Sequence, residues 1–214
     1  MTYSAKEIYY TLQGEGARTG RPAVFLRFAG CNLWSGRERD RAAAVCRFCD
    51  TQFVGTDGPG GGKFRTAGAL ADAVASHWPS TVEDRPPYVV CTGGEPLLQL
   101  DEAAIAALHD RGFEVGVETN GTVPAPRGLD WICVSPKAGA RVLQEQGDEL
   151  KLVFPQAEAA AQPENFEHMS FAHYFLQPLD DRRKAANTRA ATDYCLRHPP
   201  WKLSLQTHKI IGIA

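Results

Sequence analysis

The chain has 214 residues, 43% of them hydrophobic, and 23 lysines and arginines stand against 25 aspartates and glutamates for a formal net charge of −2. This length and apolar content fit a single domain spanning residues 1–214, and near-neutrality without a long block of like charge speaks against nucleic acid as a partner. Met1 to Tyr10 lacks the basic-then-apolar pattern of a secretory signal, and no stretch approaches the roughly 18 apolar residues of a spanning helix, so a cytoplasmic protein away from membranes is expected.

In chain order, Ala23 to Phe28 is the first strong apolar run and reads as a buried strand. It leads into Cys31 and, after fourteen intervening residues, Cys46-Arg47-Phe48-Cys49. Gly55 to Gly62, with five glycines and a proline, reads as a mobile loop. Thr66 to Trp78 carries apolar residues at helical spacing, with Thr66 as N-cap. Strand Tyr88 to Thr92 follows, then helix Asp101 to Arg111, capped by Asp101 at its start and Gly112 at its end. Phe113 to Glu118, Trp131 to Ser135, Glu149 to Phe154 and Tyr174 to Gln177 read as strands, Thr188 to His198 as a helix and Lys202 to Thr207 as a last strand. Alternating strands and helices imply a mostly parallel α/β sheet. A complete eight-stranded barrel takes about 250 residues, so the expected architecture is an open, partial TIM-like barrel of about six parallel strands.

Five of these strands end in polar segments: Gly93-Gly94-Glu95-Pro96, Glu118-Thr119-Asn120-Gly121, Ser135-Pro136-Lys137, Gln177-Pro178 and Gln206-Thr207-His208-Lys209. Ligands bind at the carboxyl ends of parallel strands, so one functional rim is expected. Cys31, Cys46 and Cys49 fall on the same rim. Reduced thiols of a cytoplasmic protein point to a metal or catalytic site before a disulfide framework. Three thiolates on a cubane iron–sulfur cluster leave one iron open, whereas structural zinc is closed by four ligands; a zinc site borrowing a histidine remains the alternative. Cys91, Cys133 and Cys195 sit inside strands or a helix, as small apolar residues do.

The cysteine trio ending Cys-x-aromatic-Cys, followed by Gly93-Gly94-Glu95-Pro96, resembles the radical S-adenosylmethionine (SAM) superfamily. Within it, Leu12-Gln13-Gly14-Glu15-Gly16, the insert Asn32 to Val45, Glu118 to Gly121, Ser135 to Lys137 and Gln206 to Lys209 resemble the 7-carboxy-7-deazaguanine synthases. The resemblance implies ring contraction of 6-carboxy-5,6,7,8-tetrahydropterin to 7-carboxy-7-deazaguanine with loss of ammonia, on the way to queuosine-type deazapurines. It implies one 4Fe-4S cluster, SAM, Mg2+, a homodimer and an electron donor such as flavodoxin or ferredoxin.

Position by position, it makes Cys31, Cys46 and Cys49 the cluster ligands and gives the Thr51 hydroxyl to Mg2+. Phe48, Cys49, Asp50, Gly94, Ser135, Pro136, Lys137, Gln177, Pro178, Leu179 and Asp180 match SAM positions, with Glu118 and Asn120 as further SAM or loop contacts. Leu12, Gln13, Gly14, Arg27, Thr92 and Ala214 match substrate positions, and Glu15 and His208 stand near them. Independently of the resemblance, a charged Arg27 in an apolar strand needs a partner, and its guanidinium forks onto a carboxylate. The competing expectations are another radical SAM enzyme, such as a glycyl-radical activase, and a zinc-stabilised binding module without catalysis.

Overall fold

The computed structural model describes residues 2–81 and 86–213. Its elements are β1 (Tyr3–Leu12), β2 (Pro22–Phe28), β3 (Gly62–Phe64), α1 (Ala67–Ala75), β4 (Tyr88–Gly93), α2 (Glu102–His109), β5 (Glu114–Thr119), β6 (Trp131–Val134), β7 (Gln146–Phe154), β8 (Ser170–Pro178), α3 (Lys184–Arg197), β9 (Trp201–Leu203) and α4 (Thr207–Ile211). All nine strands join one sheet in the order β3-β1-β2-β4-β5-β6-β7-β8-β9. From β2 onward every neighbouring pair is parallel, while β1 runs antiparallel to both β2 and β3. The parallel part thus has seven strands where about six were expected, because the short β9 pairs with β8 through Trp201 to Leu203.

Local signals explain most of these elements. Thr66 Oγ1 accepts from the Ala69 N–H at 3.1 Å and Asp101 Oδ1 from the Ala104 N–H at 2.9 Å, so both N-caps close their helices. Gly112 takes a φ of +78°, which its missing side chain permits. One apolar layer packs α1 and α2 on β1, β2, β4 and β5 through Ile8, Leu26, Leu70, Val74, Ile105 and Leu108. A second packs α3 on β6 to β9 through Leu150, Leu152, Leu176, Ala191 and Trp201.

Three expectations change. Strand β1 is absent from the sequence reading because Lys6 and Glu7 interrupt its apolar positions where its register with β2 also shifts. The segment from Gly55 to Gly62 is tied down: Gly58 N–H donates to Lys6 O at 2.9 Å, Ile8 N–H to Pro59 O at 2.8 Å, and the segment runs into β3. A β-carbon on Gly61 would collide with Lys6 O, so that glycine permits close backbone approach. Finally, the predicted strand Lys202 to Thr207 stops at Leu203, and Thr207 already opens α4.

The sheet curls until its two flanks meet. Gly16 N–H, beyond β1, donates to Ser204 Oγ beyond β9 at 2.9 Å, and Thr207 donates through its N–H and its hydroxyl to Gly14 O, each at 2.9 Å. At the opposite, amino-terminal mouth, the Arg18 guanidinium lies between the Tyr88 and Trp131 rings, 4.7 and 4.2 Å from their centroids, and pairs with Glu114. That cation–π plug leaves the carboxyl ends of the strands as the open mouth.

Candidate active site

A cavity of about 480 Å³ occupies this mouth. Its floor is the segment after β1. Gln13 is buried and donates from Nε2 to Glu118 Oε1 at 2.9 Å, while its Oε1 accepts the Glu15 N–H at 3.1 Å. Ala17 N–H donates to Glu149 Oε2 at 2.8 Å, and a β-carbon on Gly16 would collide with that carboxylate. Beneath lies Lys151, its side chain 5% exposed, with Nζ 2.5 Å from Glu15 Oε2 and 3.5 Å from Glu118 Oε1. Burial works against the charge of Glu15, yet Lys151 and Gln206 outweigh it and hold the carboxyl down at about 2.

One wall is β2. Arg27 donates from Nε to Glu7 Oε1 at 2.7 Å and from Nη2 to the Tyr9 hydroxyl at 3.0 Å. The charge that the sequence left without a partner is therefore balanced from β1. Thr92 is the β4 neighbour of Arg27 in register, and both line the cavity.

The cysteine loop forms the rim. Cys46 is buried, with Cys31 and Cys49 half-buried, and all three are free thiols. Cys46 donates its S–H to Cys49, which draws the Cys49 thiol down to about 6 against burial and pushes Cys46 up. Thr51 N–H and the Lys137 ammonium also favour a Cys49 thiolate. Cys31 interacts electrostatically with Cys49, and burial raises its thiol. Among the described residues no three His, Cys, Asp or Glu side chains converge as a preformed ion site; the three thiols share one loop system. The donor set nevertheless fits a cluster with one open iron: three sulfurs, a cationic neighbour, and Gly94 where a β-carbon would collide with Gly30 O and Cys31 Cβ. The insert braces this loop. Arg41 stacks 4.1 Å over the Trp34 ring and donates from Nη1 to Arg47 O and Cys49 O at 2.8 and 3.0 Å.

The remaining wall comes from the strand ends. Lys137 Nζ donates to Ser135 O and Oγ at 2.7 and 2.6 Å. Glu95, fully buried, caps Leu97 N–H and accepts from Thr119 Oγ1 at 2.7 Å and Asn120 N–H at 2.8 Å, locking β4 to β5. From α4, Lys209 Nζ reaches Asp50 at 2.7 Å and Asp180 at 2.6 Å.

Nearly all the residues singled out from the sequence line this one cavity: Leu12, Gln13, Gly14, Glu15, Arg27, Cys46, Phe48, Cys49, Asp50, Thr51, Thr92, Gly94, Glu118, Asn120, Ser135, Lys137, Gln177, Pro178, Leu179, Asp180 and His208. Cys31 stands behind Gly94, and Pro136 is buried away from the lining. Ala214 lies outside the described residues. Glu118 joins Gln13 and Lys151 on the floor, and Asn120 spends its side chain on Asn32 and Thr122. The sequence reading missed Glu7, Tyr9 and Lys151, and it put Gln206 and Lys209 on the rim without giving either a contact. For Lys151 a signal existed: Glu149 and Lys151 alternate with buried Leu150 and Leu152, so the charged pair shares the inner face of β7.

No family model matches the chain. The 7-carboxy-7-deazaguanine synthase of Bordetella pertussis is 65% identical over 213 residues, covering 100% of both chains. That of Caulobacter vibrioides is 63% identical with the same coverage. The crystal structure of QueE from Escherichia coli superposes with a TM-score of 0.71 at 26% identity, covering 96% of this chain and 94% of that one. Full-length identity at this level, on a partial barrel whose open mouth gathers the cysteine loop and the polar strand ends, settles the family: the chain belongs to the 7-carboxy-7-deazaguanine synthases.

Proposed function

We propose that this cavity carries out the radical SAM ring contraction of 6-carboxy-5,6,7,8-tetrahydropterin to 7-carboxy-7-deazaguanine, with loss of ammonia. The observation that carries the reading is one cavity holding two of the three rim cysteines, a guanidinium on its wall and a floor of amide and carboxylate groups. Cys31, Cys46 and Cys49 would hold a 4Fe-4S cluster, which would supply the electron for reductive cleavage of bound SAM and so allow hydrogen abstraction at C6 of the pterin.

The chain's own groups bind and orient. Arg27 receives the substrate carboxylate; Glu7 and Tyr9 hold its guanidinium by Nε and Nη2, so the fork is fixed before substrate arrives. Gln13, Glu15 and the backbone at Leu12 and Gly14 meet the donor and acceptor edge of the ring, and Thr92 lies beside Arg27. Phe48, Cys49, Asp50, Gly94, Ser135 to Lys137 and Gln177 to Asp180 hold SAM, with His208 beside the substrate.

Thr51 donates its hydroxyl oxygen to Mg2+, a cation that keeps several waters and needs few protein ligands. A homodimer and reduction by a flavodoxin or ferredoxin belong to the same reading and rest on the family resemblance. Among the described residues no helix is long and apolar enough to cross a membrane.

The test is an oxygen-free incubation of reconstituted protein with reductant, SAM, Mg2+ and the carboxylated tetrahydropterin, followed by mass spectrometry. A product lighter than substrate by one ammonia, formed in excess over SAM consumed, is the expected result. SAM cleavage with the pterin untouched would leave a radical SAM enzyme of another substrate.

A further inference from the structure

We propose that Lys151 is a positioning residue that holds Glu15 and Glu118 together as ionised acceptors for the N–H groups of the bound pterin. The inference rests on the pterin reading above and adds to it a residue that does the holding.

The groups facing Lys151 come from four directions. Glu15 arrives on the segment after β1, Glu118 from β5, Glu149 from β7 and Cys133 from β6. Nζ is 2.5 Å from Glu15 and 3.5 Å from Glu118, and the side chain is 5% exposed. Around Glu15 stand Lys151, Gln206 and His208. Glu149 is committed elsewhere, accepting from Ala17 N–H at 2.8 Å. Among these groups Lys151 is the cation that lies within 3.5 Å of both carboxylates bordering the cavity.

The cost of burying its charge is offset by anions, and the two within 3.5 Å of its Nζ, Glu15 and Glu118, line the binding space. An aminopyrimidinone edge carries N–H donors and asks for ionised acceptors. Glu15 and Glu118 both lie within 3.5 Å of Lys151 Nζ, and without that cation their charges repel and favour uptake of a proton; a protonated carboxyl turns a donor toward the ring's own N–H. Lys151 supplies the charge that favours the acceptor form, and Gln13, bonded to Glu118 Oε1 at 2.9 Å and to Glu15 N–H at 3.1 Å, ties the two segments together.

The experiment is calorimetric binding of 6-carboxypterin, the unreactive oxidised ligand, to cluster-reconstituted full-length protein between pH 5.5 and 7.5. The quantity read is the ratio of the variant's Kd to wild type, which cancels titration of the ligand. For Lys151→Met this ratio should grow about tenfold as pH falls across the range, because one carboxylate now takes up a proton near neutrality. Lys151→Arg should keep a flat ratio, and adding Glu118→Gln to Lys151→Met should remove the acid limb by deleting one of the crowded charges. A Lys151→Met ratio that is flat, at any value, would overturn the proposal. If Lys151→Met does not fold, an acid limb in Lys151→Arg or in the double variant overturns it equally. A wild type that does not bind 6-carboxypterin sinks the pterin reading and this inference with it; a wild type that binds beside a flat Lys151→Met sinks the inference alone.

Discussion

Lys209 Nζ on α4 lies 2.7 Å from Asp50 Oδ2 on the cysteine loop, so the carboxyl-terminal helix is fastened directly to the segment that carries Cys49. The same ammonium reaches Asp180 beyond β8 at 2.6 Å. These are partly exposed pairs, worth little to global stability, about 1 kcal/mol or less. Lys209→Ala should therefore leave the denaturation midpoint nearly unchanged while α4 loosens. Faster proteolytic clipping beyond Gln206, with a KM for the pterin raised several-fold and kcat held, is the expected pattern. A large fall in kcat with α4 still protected would contradict it.

Arg27 tests carboxylate recognition. Charge-assisted hydrogen bonds of this kind contribute about 1.5–3 kcal/mol, so Arg27→Ala should weaken 6-carboxypterin binding about tenfold to a hundredfold. Binding of pterin lacking the carboxylate should change little. Arg27→Lys keeps the charge but not the fork, and it should recover only part of the loss. Equal losses for both ligands would mean that Arg27 acts by holding Glu7 and Tyr9 in place.

Cluster loading separates the cysteines into two groups. Alanine at Cys31, Cys46 or Cys49 should abolish iron and sulfide incorporation, whereas Cys195→Ala, on the half-buried side of α3, should load normally. Gly94→Ala should lower loading several-fold with every cysteine intact, because its β-carbon meets Gly30 O and Cys31 Cβ. Metal analysis of oxygen-free preparations checks all of these, and zinc without iron or sulfide in wild type would favour a non-catalytic module.

Glu15 gives a pH dependence with a definite sign. Its carboxyl falls from an ordinary 4.5 to about 2 in the folded chain. The folded state thus binds fewer protons there, and the stabilisation is full above about 4.5 and lost as pH falls toward 2. The stability advantage of wild type over Glu15→Gln, measured by urea unfolding, should shrink between pH 5 and pH 3. An advantage that stays constant would place its origin in shape and not in charge.

Glu95 is a stability position. Its carboxylate takes hydrogen bonds from Leu97 N–H, Thr119 Oγ1 and Asn120 N–H with no exposure. Glu95→Ala strands these donors and should cost about 3–5 kcal/mol, read as a lower urea midpoint. Glu95→Gln retains an acceptor and should cost less. Burial raises the Glu95 carboxyl despite these bonds, so its own contribution is full below its ordinary 4.5 and is lost as pH rises above that through the raised value, opposite in sign to that of Glu15.

The amino-acid sequence alone determined the parallel strands, because β-branched and aromatic runs bounded by glycine and proline are local signals. It determined the caps at Thr66, Asp101 and Gly112 for the same reason, and the cysteine spacing together with the polar ends of five strands marked the rim. Tertiary structure decided the rest. Strand β1 exists because Glu7, awkward in a strand taken alone, pairs with Arg27 across the sheet. The curl that carries Gly14 to Thr207 and Gly16 to Ser204 joins residues nearly the whole chain apart, so no local pattern contains it. Alternation along β7 turns Lys151 inward but does not say what it meets. Only the meeting of β5, β6, β7 and the segment after β1 surrounds it with Glu118, Cys133, Glu149 and Glu15, because the energy of a buried charge depends on what comes near it in space.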